Sequence, residues 1–262
     1  MQEHNRTDQK VHYLSQVLAK LNRTFVSSKE DDSHTNLYFD PLSHRVLGRW
    51  IETDNGMIIG ALNLKAFRFE LINRSQSVLS EFEINGKTIK EIEQTIAETL
   101  SEIGLDSSGF RDDLHYEIPD YGFGNNSLNK WADKDIKLWE SIRDLANNSS
   151  FKLLGTLQSA SEVRIWPHHF DTGIYTEPNS KIGLGFGLAM KDEMAGDAYF
   201  YFAGYSLDGS VIQFEKTETL QFGRWQIDEQ WKGAILPVSD LTDSPIDAVQ
   251  SFIVEVVDFY VR

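Results

Sequence analysis

The stretch FRFELINRSQSVLSEFEINGKTIKEIEQTI, residues 67–96, decides the fold class, because within it the period of the apolar residues changes. Phe67, Phe69 and Leu71 alternate with Arg68 and Glu70, and Val78, Ser80, Phe82 and Ile84 alternate with Glu81 and Glu83. A period of two belongs to strands with one buried face. Thr88 with Glu91 then forms a capping box, after which Ile89, Ile92, Ile96, Leu100 and Ile103 keep helical spacing up to Gly104. Strands follow strands without intervening crossover helices. The pattern predicts an α+β protein of antiparallel sheets with flanking helices.

Outward from that stretch the same grammar recurs. Val11, Leu14, Val17, Leu18, Leu21 and Phe25 form one stripe and predict a helix over 8–26. Strands are expected from 36 to 84, with Asp54-Asn55-Gly56 supplying a tight hairpin. Residues 105–128 have few periodic positions and read as a long connection. Beyond it a helix over 129–146 precedes strands around 162–166, 181–189, 198–206 and 222–235. A terminal helix opens at Ser244-Pro245, with Asp247 completing a second capping box. The expected organisation is two similar helix–strands–helix halves, 1–106 and 129–262, joined by 107–128 and able to share one core.

Composition narrows the partners. The 262 residues carry 25 Lys plus Arg against 40 Asp plus Glu, a formal charge of -15, which opposes a phosphate backbone or an anionic lipid surface. No nucleic-acid and no membrane partner is expected. Absence of cysteine removes disulfides, thiolate catalysis and cysteine zinc sites. The opening MQEHNRTDQK has no signal-peptide pattern, and no apolar run approaches the roughly 20 residues that span a bilayer, so a cytoplasmic location is expected.

Five stretches in order, FRFELIN at 67–73, YEIPDY at 116–121, LWESIRDL at 138–145, HFDTGIY at 169–175 and AYFYFAGY at 198–205, resemble the DUF5996 family, a domain of unknown function. The resemblance covers roughly residues 40–206. It implies a fold and no established activity. The chain departs from the family pattern in the paired histidine before Phe170-Asp171, which leaves both histidines without a family role.

WPHHFD, residues 166–171, is the stretch richest in chemistry. In a straight strand His169 and Asp171 share one face and Trp166 and His168 the other, and Pro167 is the local feature able to break that alternation. His169 with Asp171 suits a general base and its orienting carboxylate, or two ligands of a metal whose third ligand is not identifiable, so no metal site is predicted. The competing reading makes these residues backbone-bonded polar groups at a strand end.

Gly183, Gly185 and Gly187 lack the spacing of a dinucleotide loop and instead leave one strand face bare, for protein packing or for a ligand. Tyr199, Tyr201 and Tyr205 share a parity opposite Phe200 and Phe202. If the strands pair, His168, His169, Asp171, Tyr199, Tyr201 and Gly185 define a ligand-binding set, and Glu117, with Asp120 and Tyr121 of the connection, a lid or a further catalytic carboxylate. No cofactor is specified. Three functions follow: a small-molecule-binding protein with its pocket in the second half, a metal-dependent or acid/base hydrolase using His169 and Asp171, or a protein-interaction module presenting Trp225 and Trp231.

Overall fold

The computed structural model describes residues 1–241 and 243–261. Among the described residues there are four α-helices, α1 (Gln2–Phe25), α2 (Ile89–Glu102), α3 (Asp133–Leu157) and α4 (Pro245–Val261). Strands β1 (Tyr38–Asp40), β2 (Arg45–Thr53), β3 (Gly56–Asn63), β4 (Arg68–Asn73) and β5 (Val78–Glu83) follow α1. Strands β6 (Arg164–Trp166), β7 (Asp171–Thr176), β8 (Ile182–Ala189), β9 (Tyr199–Ser206), β10 (Arg224–Ile227) and β11 (Lys232–Pro237) lie between α3 and α4. The architecture is α+β with two antiparallel sheets, each preceded and followed by a helix. Among the described residues no helix is long and apolar enough to cross a membrane.

Two compact units divide the chain. One comprises residues 6–140 and 165–170, so the whole connection 107–128 belongs to it; the other comprises 1–5, 141–164 and 171–262.

In the first unit β1 to β5 form a meander in sequence order. The Asp54-Asn55 turn brings Thr53 opposite Gly56, and only Gly56 of the three turn residues takes a positive φ, 115°. Register slips between Leu47 and Trp50 in β2, and the Arg49 N–H lost to the ladder there is met by Asn22 Oδ1 from α1 at 2.8 Å. Close docking of α1 also needs Gly60, where a Cβ would stand 2.7 Å from Leu21 Cδ1. The capping box of α2 forms as expected: Glu91 N–H donates to Thr88 Oγ1 at 3.3 Å and Thr88 N–H donates to Glu91 Oε2 at 2.7 Å.

In the second unit five strands run in the order β10-β11-β9-β8-β7. Leu184, Phe186 and Leu188 of β8 and Phe200 and Phe202 of β9 present one parity, and all are buried. They meet Ile142, Ala146, Leu153 and Leu154 of α3 and Val249, Phe252 and Val256 of α4. At roughly 1.5–3 kcal/mol for each large apolar side chain removed from water, this layer is the dominant stabilising term of the unit. The phenylalanine parity of AYFYFAGY therefore faces the core, and the tyrosine parity faces away from it.

Candidate functional site

WPHHFD does not lie along a straight strand. Its middle four residues, 167–170, form a turn between β6 and β7, closed by Phe170 N–H donating to Trp166 O at 2.6 Å. Phe170 sits in the left-handed region at φ 58°, which ends the extended conformation. Strand alternation across His168, His169 and Asp171 is thereby replaced: Asp171 is the first residue of β7, while both histidines belong to the turn. Pro167, which cannot donate to a ladder, is the residue where the pleat breaks.

The turn is held by its least conspicuous atoms. His12 of α1 puts Nε2 2.8 Å from Pro167 O and Nδ1 2.8 Å from Tyr121 Oη. Because a carbonyl only accepts, Nε2 carries the proton, and in the neutral ring Tyr121 donates to Nδ1. Gln16 Nε2 donates to the same carbonyl at 2.9 Å, and Tyr116 Oη donates to Gln16 Oε1 at 3.0 Å. Phe170, fully buried, stacks on the His12 ring at 4.9 Å and 13° and on Trp139 at 6.3 Å. Trp139 Nε1 in turn donates to the buried Asp8 at 2.7 Å. His168 is half-buried, with ring contacts to Tyr116 at 5.7 Å and His169 at 4.4 Å, and His169 is exposed. His12 escaped the sequence reading because its partners lie more than a hundred residues away and no short-range spacing marks them.

The connection is strapped to α1 by the same contacts. Besides Tyr116 and Tyr121, Phe123 packs against Tyr13 at 5.4 Å, and Tyr13 Oη donates to Gly124 O at 3.0 Å. Burial raises the Tyr121 phenol to about 12, with the charge of Asp8 adding to the shift, so the hydroxyl stays a donor throughout the neutral range. Glu117 and Asp120 are exposed.

In the second unit Asp171, Tyr199, Tyr201 and Gly185 occupy the sheet face away from the core, but they do not form one cluster of polar tips. Tyr201 Oη donates to Asp171 Oδ2 at 2.7 Å, whereas Tyr199 Oη donates to Asp192 Oδ2 at 2.6 Å. Burial first, then the Asp171 carboxylate, pushes the Tyr201 phenol well up, so it serves as a neutral donor and not as a base. Its ring lies across the bare face: a Cβ on Gly187 or on Gly173 would come within 2.9 Å of Tyr201 Oη. Tyr175 covers Gly183 in the same way, far inside van der Waals contact of any added Cβ, and Tyr205 lies over Gly185 with a nearest approach of 3.5 Å. The glycine stripe is filled by tyrosines of the two neighbouring strands, which is protein packing.

A cleft of about 1060 Å3 opens elsewhere in the second unit. Residues 207–223, between β9 and β10, form one wall with Ile212, Lys216 and Leu220, and α4 forms the other with Glu255, Asp258 and Phe259. Trp225 and Tyr260 also line it, with Ile182 at the start of β8 and Lys181 just before it. Trp225 meets Phe259 edge-on at 4.7 Å and donates its Nε1 to Glu218 O at 2.9 Å, so the indole is fixed at both ends. None of the residues in the expected ligand set lines this cleft. The nearest sequence signal for it was Trp225, read as an interaction residue.

Among the described residues no three His, Cys, Asp or Glu side chains are grouped so as to hold a metal ion. Comparison of the chain with protein-family models, with curated proteins and with solved structures gave no match in any of the three.

Proposed function

We propose that the chain is a small-molecule-binding protein whose site is the cleft between residues 207–223 and α4. The observation that carries the reading is a concavity of about 1060 Å3 whose lining joins Ile182, Ile212, Leu220, Trp225 and Phe259 to charged groups of both signs. A concavity of that volume with aromatic and aliphatic side chains in its wall is of the size that drug-sized ligands occupy. Trp225 supplies a rigid wall because its indole N–H is already bonded to the Glu218 carbonyl, so little side-chain freedom is lost when a ligand packs against it. A place in the DUF5996 family forms part of the same proposal and adds no activity to it.

A fluorescence titration with N-phenyl-1-naphthylamine, a neutral apolar probe, tests the reading. Saturable binding at one site per chain is expected, and Leu220→Glu, which sets a charge on the half-buried wall, is expected to weaken it about tenfold, the equivalent of about 1.4 kcal/mol. Absence of saturable binding, or binding indifferent to Leu220→Glu in a variant that melts with the wild type, rejects the proposal.

A further inference from the structure

The tyrosines that fill the glycine stripe are not all buried by it. Tyr175 of β7 pairs with Gly185 and Tyr205 of β9 pairs with Gly183, so the two rings reach over β8 from opposite sides. Their centroids stand 6.0 Å apart with the ring planes tilted by 54°, and the residues keep 44% and 50% of their surface exposed. Two aromatic surfaces are thus presented side by side to solvent, above strand positions that carry no side chain. The charges acting on them are carboxylates. Tyr175 Oη donates to Glu177 Oε1 at 3.2 Å, and Asp171 accepts from Tyr201 Oη at 2.7 Å. Burial first, then the bond to Glu177 and its charge, raises the Tyr175 phenol, and burial followed by the charge of Asp171 raises that of Tyr205. Bonds from neutral hydroxyls leave both carboxylates charged. Lys181, two positions before Gly183, lines the cleft beside α4, and its charge acts on Asp208.

Aromatic faces carry the negative part of a ring quadrupole, so a pair of rings accompanied by carboxylates, in a chain of formal charge -15, attracts cations. The 54° tilt suits a compact ball of methyl groups better than the flat face of a sugar ring. Because β8 is paired on both sides, by β7 and by β9, the rings stand over the sheet interior and have beside them no free strand edge on which a peptide backbone could add. We infer that Tyr175 and Tyr205 form a second binding site, separate from the cleft, for a free small-molecule organic cation, a quaternary or methylated ammonium. Asp171 and Glu177 supply its counter-charge.

Tyrosine-ring NMR signals, followed during titration with choline chloride and with its neutral carbon isostere 3,3-dimethyl-1-butanol, test the assignment. Choline is expected to shift the Tyr175 and Tyr205 signals saturably and to bind about fivefold tighter than the isostere. Tyr175→Leu/Tyr205→Leu is expected to weaken choline about tenfold, the size of two exposed cation–π contacts. Tyr175→Phe/Tyr205→Phe, which keeps both rings, is expected to stay within about twofold of the wild type. Glu177→Gln, which keeps an acceptor for Tyr175, is expected to weaken choline about twofold and to leave the isostere unchanged. The site is overturned if choline gives no saturable shift, if choline and the isostere bind equally, or if the response to choline is confined to the Trp225 indole. Methyl glucoside shifting the same rings at lower concentration than choline overturns the cationic class. A trimethyllysine peptide that binds more tightly than choline overturns the small-molecule source.

Discussion

Single residues decide more here through what they lack than through what they carry. The glycines of β8 were legible in the sequence as a bare strand face, but not which neighbour fills it. At Gly187 an added Cβ would collide with the Thr172 carbonyl and stand 2.9 Å from Gly173 Cα, both backbone, which cannot swing aside. At Gly185 the nearest atom is the Tyr205 ring at 3.5 Å, an ordinary contact. Gly187→Ala is therefore expected to destabilise by about 2–3 kcal/mol through overpacking, and Gly185→Ala to be neutral or slightly stabilising through reduced freedom of the unfolded chain. Urea unfolding of the two variants side by side checks this; equal effects would mean that the close backbone approach at Gly187 does not set the two positions apart. His12 shows the opposite case: a residue with full chemical capability spends both nitrogens on holding a turn and a connection in place.

At the scale of elements, starts were located where a cap marks them, whereas α1, expected over 8–26, begins at Gln2 and ends at Phe25. The capping box at Thr88 and Glu91 and the Ser244-Pro245 start of α4 fall where the spacing puts them. Helix α3 runs to Leu157, well past the expected 146, through Asn147, Asn148, Ser149 and Ser150. These residues compete for backbone hydrogen bonds in isolation. Here Asn147, Ser149 and Ser150 are buried, and packing of Leu153 and Leu154 into the core outweighs the propensity.

The first sheet is tied across three strands by one carboxylate. Glu70 of β4 is buried and accepts from Arg45 Nε of β2 at 2.7 Å, from Asn63 Nδ2 of β3 at 2.9 Å and from Arg68 Nε at 2.8 Å. Burial alone would raise its carboxyl, but the bonds from Arg68, Arg45 and Asn63 outweigh burial and hold it below the ordinary value of 4.5. A depressed folded value adds stability above the unfolded value, and that stability is lost as pH falls through the folded one. Glu70→Gln is thus expected to cost about 2–3 kcal/mol at pH 7, with the gap to wild type narrowing as pH drops below about 4. Denaturant midpoints across that range provide the measurement, and a gap independent of pH would contradict it.

For the molecule as a whole, the tyrosines set the behaviour in alkali. Burial raises the phenols of Tyr116, Tyr121, Tyr199, Tyr201 and Tyr260 above their ordinary value of 10.0, with Tyr121 at about 12. A folded value above the unfolded one gives stability that is complete below pH 10 and declines as pH rises toward the folded values. Absorbance at 295 nm is expected to show only part of the tyrosine complement ionising near pH 10, the rest appearing together with loss of structure above about pH 11. Full ionisation with a single midpoint near 10 while the far-ultraviolet spectrum stays native would refute the burial of these hydroxyls.

The sequence by itself determined the α+β class, the helix–strands–helix order, the capped start of α2 and the core parity of β8 and β9. Those features follow from periodicity and local hydrogen bonding, which neighbouring residues encode. Tertiary structure alone decided that 167–170 turns, that His12 rather than His169 bonds the turn's carbonyl, and that Tyr201 fills the glycine face. It also decided that Lys181, Lys216, Trp225 and Phe259, drawn from two connecting segments, a strand and a helix, line one cleft. Such meetings join residues tens to more than a hundred positions apart, and no local period records which distant side chain will occupy a given space.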